Sequence, residues 1–323
     1  MLSTMTFNIH CWVKSDDHLE RMAKVLLFKK PDVVGFQEMS NAAHSRWIDR
    51  LMAFPGIAAL YGYVARSRGD GTGETTAIFY NKSKFTVVEG YVRWLYCDHG
   101  INCTCPDCKG MTVAGCFDDV NEGCTADNDG PDKKAKDAEG KDIYYRIVTY
   151  AKLKRIEDGK EFVFLNTHVD THVFSPYGKY ETFQLQNKQI EYLLNFAKDH
   201  IGAGLPVILT GDFNARVGWG VIDRILGAGF VRTEEIAERT WGGEVVIKEE
   251  NGKQIQHPSY NFFYTNHLHN RVRPCVGIDH IFLHTPEKCR VRTYEFCDQP
   301  ITASNGITEF PSDHIPRIAY IDL

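Results

Sequence analysis

Short apolar runs that end in polar residues recur from one end of this chain to the other. Examples are TFNIH at 6–10, DVVGF at 32–36, FVFLNTH at 162–168 and VILTGDFNA at 207–215. Their β-branched and aromatic residues indicate buried strands. Stretches with apolar residues three and four positions apart separate some of them, as in LERMAKVLL at 19–27 and EYLLNFA at 191–197. Such alternation predicts an α/β (α+β) protein with helices flanking its sheets.

Size and composition are those of a globular protein with one sizeable core. The chain has 323 residues, 43% of them hydrophobic, and a net charge of -5. This length is near the upper limit for a single core, and we predict one domain over residues 1–323. No apolar run reaches the roughly 20 residues of a membrane helix. Because no leader precedes the first strand, we expect a cytoplasmic protein, or a secreted one if a leader has been removed.

Local patterns predict two helices, with two hairpins between them. The first helix should begin at Asp16 or Asp17 and stop before Pro31, and a second should run from about 181 to 198. TAIFY and FTVVEGYV indicate a hairpin that turns around Asn81. YYRIVTYAKLKRI and KEFVFLNTH indicate another that turns at 157–159.

An acidic, cysteine-rich segment at about 97–142 interrupts this pattern. It holds six of the ten cysteines, 11 acidic residues and 5 lysines, without strand or helix periodicity. We interpret it as a surface insertion. Thiolate and imidazole groups suit Zn²⁺, and the candidate ligands are Cys97, His99, Cys103, Cys105 and Cys108. Three disulfides or free thiols are the alternatives, and disulfides would require an oxidising compartment.

Polar residues that could take part in chemistry lie at strand ends. Each has an ordinary explanation by itself, such as an Asx turn at Asp212 or a structural histidine at His168. Strand ends are also where sheet proteins build ligand sites. The recurrence of such residues in order therefore predicts one shared site, built from Asn8, Glu38, Asn166, His168, Asp212, Asn214, Asp279, Asp313 and His314.

The order of these motifs resembles the endonuclease/exonuclease/phosphatase superfamily, which includes deoxyribonucleases, abasic-site endonucleases, inositol polyphosphate phosphatases and bacterial sphingomyelinases. The resemblance runs from Thr6 to His314 through TFNIH, PDVVGFQEM, GETTAIFYN, FLNTHVD, ILTGDFNA, GIDHIFL and PSDHIP. It implies a four-layer sandwich, with two mixed β-sheets packed face to face and helices outside. It also implies metal-dependent hydrolysis of a phosphoester by in-line attack of activated water.

The resemblance assigns roles to individual residues. Asn8, Glu38 and Asp313 match the metal-binding positions, whose oxygen ligands suit Mg²⁺ or Mn²⁺. His314 matches the general base or phosphate contact, and Asp279 matches the carboxylate that orients it. The remaining matches are catalytic positions at His168, Asp212 and Asn214, and substrate- or phosphate-side positions at Glu74 and Asn166. Within these, Glu74 matches the glutamate that partners His168.

One position departs from many bacterial relatives. These carry an arginine three residues before a glutamine in the helix after NTH, whereas this chain has Gln186 before Gln189. A cation on the phosphate side is thus absent from that position.

The substrate is less constrained than the reaction. Nucleases neutralise several phosphates with clustered cations, and this acidic chain shows only short groups at 152–155 and 271–273. We therefore favour a small phosphoester or a head group. The alternatives are a nuclease acting on DNA or RNA, and a sphingomyelinase-like phosphodiesterase. A non-catalytic binding module should have lost motif residues, and the principal ones are intact.

Overall fold

A computed structural model of the chain describes residues 1–11, 15–40, 46–66, 74–95, 135–136, 142–143, 146–170, 179–241, 246–250, 253–257, 277–285 and 289–323. Of the cysteine-rich insertion, these ranges include only two short strands. The predicted zinc ligands Cys97, His99, Cys103, Cys105 and Cys108 lie outside the described residues.

Strands make up most of the described secondary structure. In chain order they are β1 (Leu2–Asn8), β2 (Val33–Gln37), β3 (Met39–Ser40), β4 (Tyr61–Val64), β5 (Glu74–Thr75), β6 (Ile78–Asn81), β7 (Phe85–Trp94), β8 (Ala135–Lys136), β9 (Asp142–Ile143), β10 (Ile147–Arg155), β11 (Glu161–His168), β12 (Val207–Asp212), β13 (Val231–Arg232), β14 (Thr240–Trp241), β15 (Val246–Glu250), β16 (Lys253–His257), β17 (Asp279–His284), β18 (Arg290–Phe296), β19 (Ile301–Thr302), β20 (Thr308–Glu309) and β21 (Arg317–Asp322).

The described helices are mostly short. They are α1 (Asp16–Lys29), α2 (Trp47–Ala53), α3 (Ile57–Leu60), α4 (Lys179–Gly202), α5 (Gly220–Gly227) and α6 (Thr233–Ile236). None of these helices combines the length and the apolar character that crossing a bilayer requires.

Two mixed sheets form the body of the fold. One has seven strands in the order β14-β18-β21-β1-β2-β6-β4, and the other has six in the order β13-β17-β12-β11-β10-β7. In the first, β1 runs parallel to β2 and antiparallel to β21. In the second, β12 runs parallel to β11 and antiparallel to β17. The ends of β1, β2, β11 and β12 and the starts of β17 and β21 therefore meet at one edge of the sandwich.

Apolar side chains divide the molecule into layers. A buried cluster between the sheets takes residues from both, among them Leu2, Val33, Phe164, Ile208 and Ile281. A second cluster packs α1 and α2 on the outer face of the seven-stranded sheet, and a third packs α4 and α5 on the outer face of the other sheet. The predicted four-layer sandwich is confirmed.

Local predictions had mixed outcomes. The second hairpin is confirmed, since β10 and β11 pair antiparallel, and the helix predicted at 181–198 is α4. The first hairpin is wrong, because β6 pairs with β2 and β4 whereas β7 pairs with β10 in the other sheet. The turn around Asn81 thus carries the chain from one sheet to the other. The cap of α1 is Ser15 rather than an aspartate, and its side chain accepts from the His18 backbone N–H.

Buried amides connect the two sheets beneath the site-bearing edge. Asn166 Nδ2 donates to the carbonyls of Phe36 (2.7 Å) and Ala77 (3.0 Å). Its Oδ1 accepts from Gln37 Nε2 (2.6 Å) and Thr210 Oγ1 (3.1 Å). Every polar atom of this fully buried side chain is thus used to join the sheets. Removing it would leave buried backbone carbonyls without their donor.

The contact is close enough to require glycine at one position. A Cβ at Gly35 would lie 2.2 Å from Thr210 Oγ1 and 2.5 Å from Asn166 Oδ1. The absence of a side chain at 35 therefore lets Asn166 reach the seven-stranded sheet.

A buried neutral histidine fastens α1 to the end of β1. His18 Nε2 donates to the carbonyl of Ile9 at 2.6 Å, and its ring meets Trp47 edge-on. Burial lowers the pKa of His18 to about 4. The hydrogen bond to Ile9 opposes this shift, and the positive charge of Arg21 adds to it. The folded protein therefore holds His18 neutral at pH values where an unfolded chain would protonate it.

We expect Asn166→Leu to lower the free energy of unfolding by roughly 3 kcal/mol, since it leaves several buried groups unsatisfied. The matched control is Asn187→Leu, because Asn187 Oδ1 accepts a hydrogen bond at the exposed surface, from Arg224 Nε. That change should stay within about 0.5 kcal/mol of wild type. Urea unfolding curves measure both, and equal effects would contradict the bridging role.

We expect His18→Gln to flatten the acid side of the stability profile. The folded-state pKa of His18 lies below that of the unfolded state, so its contribution is complete above about pH 6.5 and is lost as the pH falls toward 4. Glutamine retains an N–H donor but does not titrate. Between pH 7 and 4 the variant should lose on the order of 2 kcal/mol less stability than wild type. Parallel profiles in urea titrations would refute this.

Candidate active site

The carboxylate of Asp212 lies at the centre of the predicted cluster. Its Oδ2 accepts from Asn8 Nδ2 at 2.9 Å. The Nε2 atoms of two histidines face the same oxygen, that of His168 at 3.7 Å and that of His314 at 3.9 Å. Asn8 and His314 come from the first sheet and its loops, and His168 and Asp212 from the second. The structure therefore brings these predicted residues together across the two sheets.

Strand pairing explains how this happens. His168 and Asp212 are opposite each other at the ends of parallel β11 and β12, and Asp279 is opposite Asp212 at the start of antiparallel β17. On the other sheet, Ser312 Oγ donates to the Asn8 carbonyl at 2.7 Å and accepts from the His314 backbone N–H at 3.1 Å. Ser312 thus fastens the turn before β21 to the end of β1.

His314 is oriented by a buried carboxylate. Its Nδ1 is 2.9 Å from Asp279 Oδ2, so Nε2 is left to face Asp212. Burial by itself lowers the pKa of His314, but the charges of Asp279, Asp313 and Asp212 outweigh it and raise the pKa well above its ordinary value. This pair can therefore accept a proton and stabilise the resulting charge.

His168 belongs to a second pair of the same design. Its Nδ1 bonds to Glu74 Oε1, and Glu74 Oε2 is 3.2 Å from Arg146. Burial lowers the pKa of His168, but the charge of Glu74 more than offsets this and the net shift is upward. The pKa of Asp212 is also raised, first by burial and then by the charge of Asp279. Protons are thus shared within a buried, mixed-charge cluster.

Oxygen atoms for a metal lie beside this cluster. Glu38 Oε1 is 3.2 Å from Asn8 Nδ2, and its Oε2 accepts from the Cys11 backbone N–H at 3.2 Å. Glu38 has a positive φ of 62°, a conformation that a non-glycine residue adopts at a cost. Burial and the charge of Glu38 raise the pKa of Asp313. Carboxylate oxygens at half-buried positions suit a hard divalent cation.

Asn8 contacts two carboxylates of the cluster. Its Oδ1 accepts from the His10 backbone N–H at 3.0 Å, so the amide nitrogen faces Glu38 and Asp212. In this arrangement Asn8 holds these two carboxylates in place, and its role as a metal ligand stays a prediction.

A tight turn completes the cluster. Asn214 has a φ of 47°, its backbone N–H donates to Asp212 Oδ1 at 2.8 Å, and its Nδ2 donates to the Val169 carbonyl at 2.9 Å. Asn214 therefore braces Asp212 from the side opposite Asn8. Gln186, at the position where relatives carry arginine, donates to the Asp170 carbonyl at 2.5 Å.

The substrate-side prediction for Asn166 is wrong. Asn166 and His168 do share a face of β11, as the period-two pattern predicts, but Asn166 lies one step deeper and its amide is fully used between the sheets. Glu74 has the place predicted for the partner of His168, since its Oε1 bonds to His168 Nδ1 and its Oε2 accepts from Arg146.

A three-residue group that could ligate a metal is better explained as a proton-handling site. Ligand-type atoms of Asp212, Asp279 and His314 lie within 4.8 Å of one another. However, Asp279 and His314 already bond to each other, and both oxygens of Asp212 accept hydrogen bonds from Asn8 and Asn214. The predicted metal ligands Glu38 and Asp313 lie outside this group.

Arg146 is the functional residue that the sequence analysis missed. It lies directly before β10, with NH1 3.2 Å from Glu74 Oε2 and NH2 3.5 Å from Asp170 Oδ1. The sequence does carry a signal, namely a single arginine immediately before a buried strand. Its partners are 72 and 24 residues away, so only the fold reveals its place.

Comparisons with known proteins identify the family of the chain. Residues 5–314 match the model of the Endonuclease/Exonuclease/phosphatase family. No curated protein matches the chain. Among solved structures, a mannosyl-6-phosphatase of Bacteroides thetaiotaomicron VPI-5482 is 22% identical with a TM-score of 0.66, and each chain is covered completely.

Two further structures extend the similarity. An endonuclease/exonuclease/phosphatase of Bacteroides vulgatus is 23% identical with a TM-score of 0.67, over 100% of this chain and 98% of that one. TDP2 of D. rerio, in complex with a single-strand DNA product, is 15% identical with a TM-score of 0.62, over 100% and 99%. The family match spans nearly the whole chain and takes in every residue of the buried cluster. The chain therefore belongs to the endonuclease/exonuclease/phosphatase family, whose members hydrolyse phosphoric esters.

Proposed function

We propose that this protein hydrolyses the phosphoester of a small molecule or head group with the help of Mg²⁺ or Mn²⁺. One observation carries the proposal. Two histidines, each paired with a carboxylate through Nδ1, aim their Nε2 atoms at the same oxygen of Asp212. Attack by water and departure of an alcohol both need a positioned proton acceptor or donor, and this arrangement supplies one for each step.

His314 is the base in this proposal. Asp279 occupies its Nδ1, so the tautomer and ring orientation are fixed and Nε2 faces the site. Removing a proton from water there produces an imidazolium, which Asp279 and Asp313 stabilise. Asp212, braced by Asn8 and Asn214, orients the same water for in-line attack.

His168 serves the opposite side of the phosphoryl group. Its raised pKa makes it a proton donor, and Glu74 keeps Nε2 directed at the cluster. In this proposal it protonates the departing oxygen. Arg146, held between Glu74 and Asp170, contributes positive charge on the same side. It provides the cation that Gln186 does not.

Glu38 and Asp313 would hold the metal. When bound, a divalent cation would neutralise charge that builds up on the phosphoryl oxygens. Without it, the carboxylates of Glu38, Asp212, Asp279 and Asp313 would repel an anionic substrate.

The charge of the site favours a small substrate. Among the described residues, six carboxylates, those of Glu38, Glu74, Asp170, Asp212, Asp279 and Asp313, share the site with Arg146 and three histidines, His10, His168 and His314. A nucleic acid needs several phosphate contacts from cations, and this acidic surrounding opposes them. The B. thetaiotaomicron mannosyl-6-phosphatase, similar over its whole length, makes mannosyl phosphates the first substrates to assay. Nucleic acid stays in the panel because TDP2 shares the fold.

Metal removal should abolish turnover. We expect EDTA to reduce hydrolysis of 4-nitrophenyl phosphate and its bis-ester to background, and Mg²⁺ or Mn²⁺ to restore it. Glu38→Gln should raise the Mg²⁺ concentration needed for half-maximal rate by on the order of tenfold or more. The matched control is Glu157→Gln, in the exposed turn between β10 and β11, which should behave like wild type. Undiminished activity in EDTA would refute the metal requirement.

Substitutions at the base and at the central carboxylate should reduce kcat sharply. We expect His314→Gln and Asp212→Asn each to lose on the order of a hundredfold or more, since each removes a positioned proton-transfer or water-orienting group. His284→Gln, at the far end of β17, is the matched control and should retain wild-type kcat. A variant of either site residue with near wild-type kcat would remove that residue from the mechanism.

The substrate class follows from a direct comparison. We expect kcat/KM for sugar phosphates to exceed that for single-strand oligonucleotides at every salt concentration, because the acidic site repels a polyanion. Cleavage of oligonucleotides with higher kcat/KM, weakening as salt increases, would establish the nuclease alternative instead.

A further inference from the structure

Four charged side chains form a continuous chain from the rim of the site to its centre. Asp170 Oδ1 lies 3.5 Å from Arg146 NH2, Arg146 NH1 lies 3.2 Å from Glu74 Oε2, and Glu74 Oε1 bonds to His168 Nδ1. The signs alternate along this chain when His168 is protonated. Two carboxylates then balance a guanidinium and an imidazolium in a region that is largely shielded from water.

Asp170 is held rigidly at the outer end. Its backbone N–H donates to Gln189 Oε1 at 3.0 Å, and its carbonyl accepts from Gln186 Nε2 at 2.5 Å. Both glutamines are buried on α4, whose apolar face packs on the six-stranded sheet. The backbone of Asp170 is therefore fixed with respect to β11 and to the site, and its side chain is 19% exposed.

Arg146 divides its interactions between two carboxylates. Burial alone would lower the pKa of Arg146, and the charges of Glu74 and Asp170 reverse this. Without the charge of Asp170, the guanidinium would have to draw more heavily on Glu74. Glu74 is the residue that orients His168. A stronger interaction of Glu74 with Arg146 would therefore compete with the hydrogen bond between Glu74 and His168.

We propose that Asp170 is a positioning residue for His168, acting through Arg146 and Glu74. Asp170 and Glu74 share the guanidinium of Arg146. Because Arg146 also interacts with Asp170, only one oxygen of Glu74 is needed for Arg146, and the other bonds to His168. The role rests on the proposed function, in which His168 protonates the leaving oxygen. Gln186 and Gln189 connect the backbone of Asp170 to α4.

The kinetic test compares leaving groups. An alkyl alcohol needs protonation as it departs, whereas 4-nitrophenolate is stable without it. We expect Asp170→Asn to lower kcat on an alkyl phosphoester by about tenfold, with KM within about twofold of wild type. On the 4-nitrophenyl ester of the same phosphate type, kcat should fall by less than about twofold. Asp170→Glu should restore most of kcat on the alkyl ester.

Asp158→Asn is the matched control. Asp158 also pairs with an arginine, Arg155, at 2.8 Å, but on the exposed turn between β10 and β11. It should behave like wild type on both substrates. Equal loss of kcat on both esters for Asp170→Asn, or a several-fold rise in KM with unchanged kcat, would overturn the proposal. The second result would make Asp170 a substrate contact.

A cycle in metal-free protein tests the coupling without any turnover. The melting temperatures of Asp170→Asn, Glu74→Gln and the double variant should be non-additive, because both carboxylates share Arg146. The corresponding cycle with Asp158→Asn should be additive. Additive shifts in the Asp170 cycle would overturn the proposal. An inactive wild type would instead refute the proposed function, and the cycle would still decide on the coupling.

Discussion

The hydrogen bonds of Asn166 hold the two sheets in one relative position, and the candidate active site depends on that position. Asn8, Glu38, Asp313 and His314 come from one sheet and its loops, whereas His168, Asp212 and Asp279 come from the other. Each half contains carboxylates but neither contains a complete proton-transfer arrangement. Three bonds between the sheets, all to a side chain with no exposed surface, fix the distance across which His314 and His168 face Asp212. Catalytic geometry is thus a product of sheet packing.

The same packing explains why so much charge is tolerated. Every carboxylate of the cluster is assigned a partner that limits its freedom: Asp279 has His314, Glu74 has His168 and Arg146, and Asp212 has Asn8 and Asn214. Burial still raises the pKa values of Asp212 and Asp313. Ionising these carboxylates therefore costs folding free energy, which a bound cation would offset. Active sites typically exchange stability for function in this way.

Much of this arrangement could be predicted from the sequence, because motif residues lie at strand ends and strand ends converge. The α/β class, the second hairpin and the grouping of His168, Asp212, Asp279 and His314 follow from such patterns, whereas the four-layer arrangement follows from the family resemblance. Side-chain direction could not be predicted in the same way. Asn166 lies on the predicted face but one step too deep, and Asn8 directs its nitrogen toward Glu38 and Asp212. Arg146 could not be predicted as a site residue because its partners are distant in sequence. The false hairpin at Asn81 had a turn and two good strands, and only packing decides which sheet each strand joins.

That crossing at Asn81 has a consequence for how the molecule assembles. Because β6 and β7 are consecutive in the chain but belong to different sheets, neither sheet can be completed from a continuous stretch of sequence. The seven-stranded sheet also needs β1 beside β21, strands from opposite ends of the chain. Contacts of such long range are slow to form, since loop closure must precede their stabilisation. A polypeptide emerging from the ribosome therefore lacks one of the two partners of β1 until β21 has been made. Catalytic competence should be among the last properties that a newly made molecule acquires.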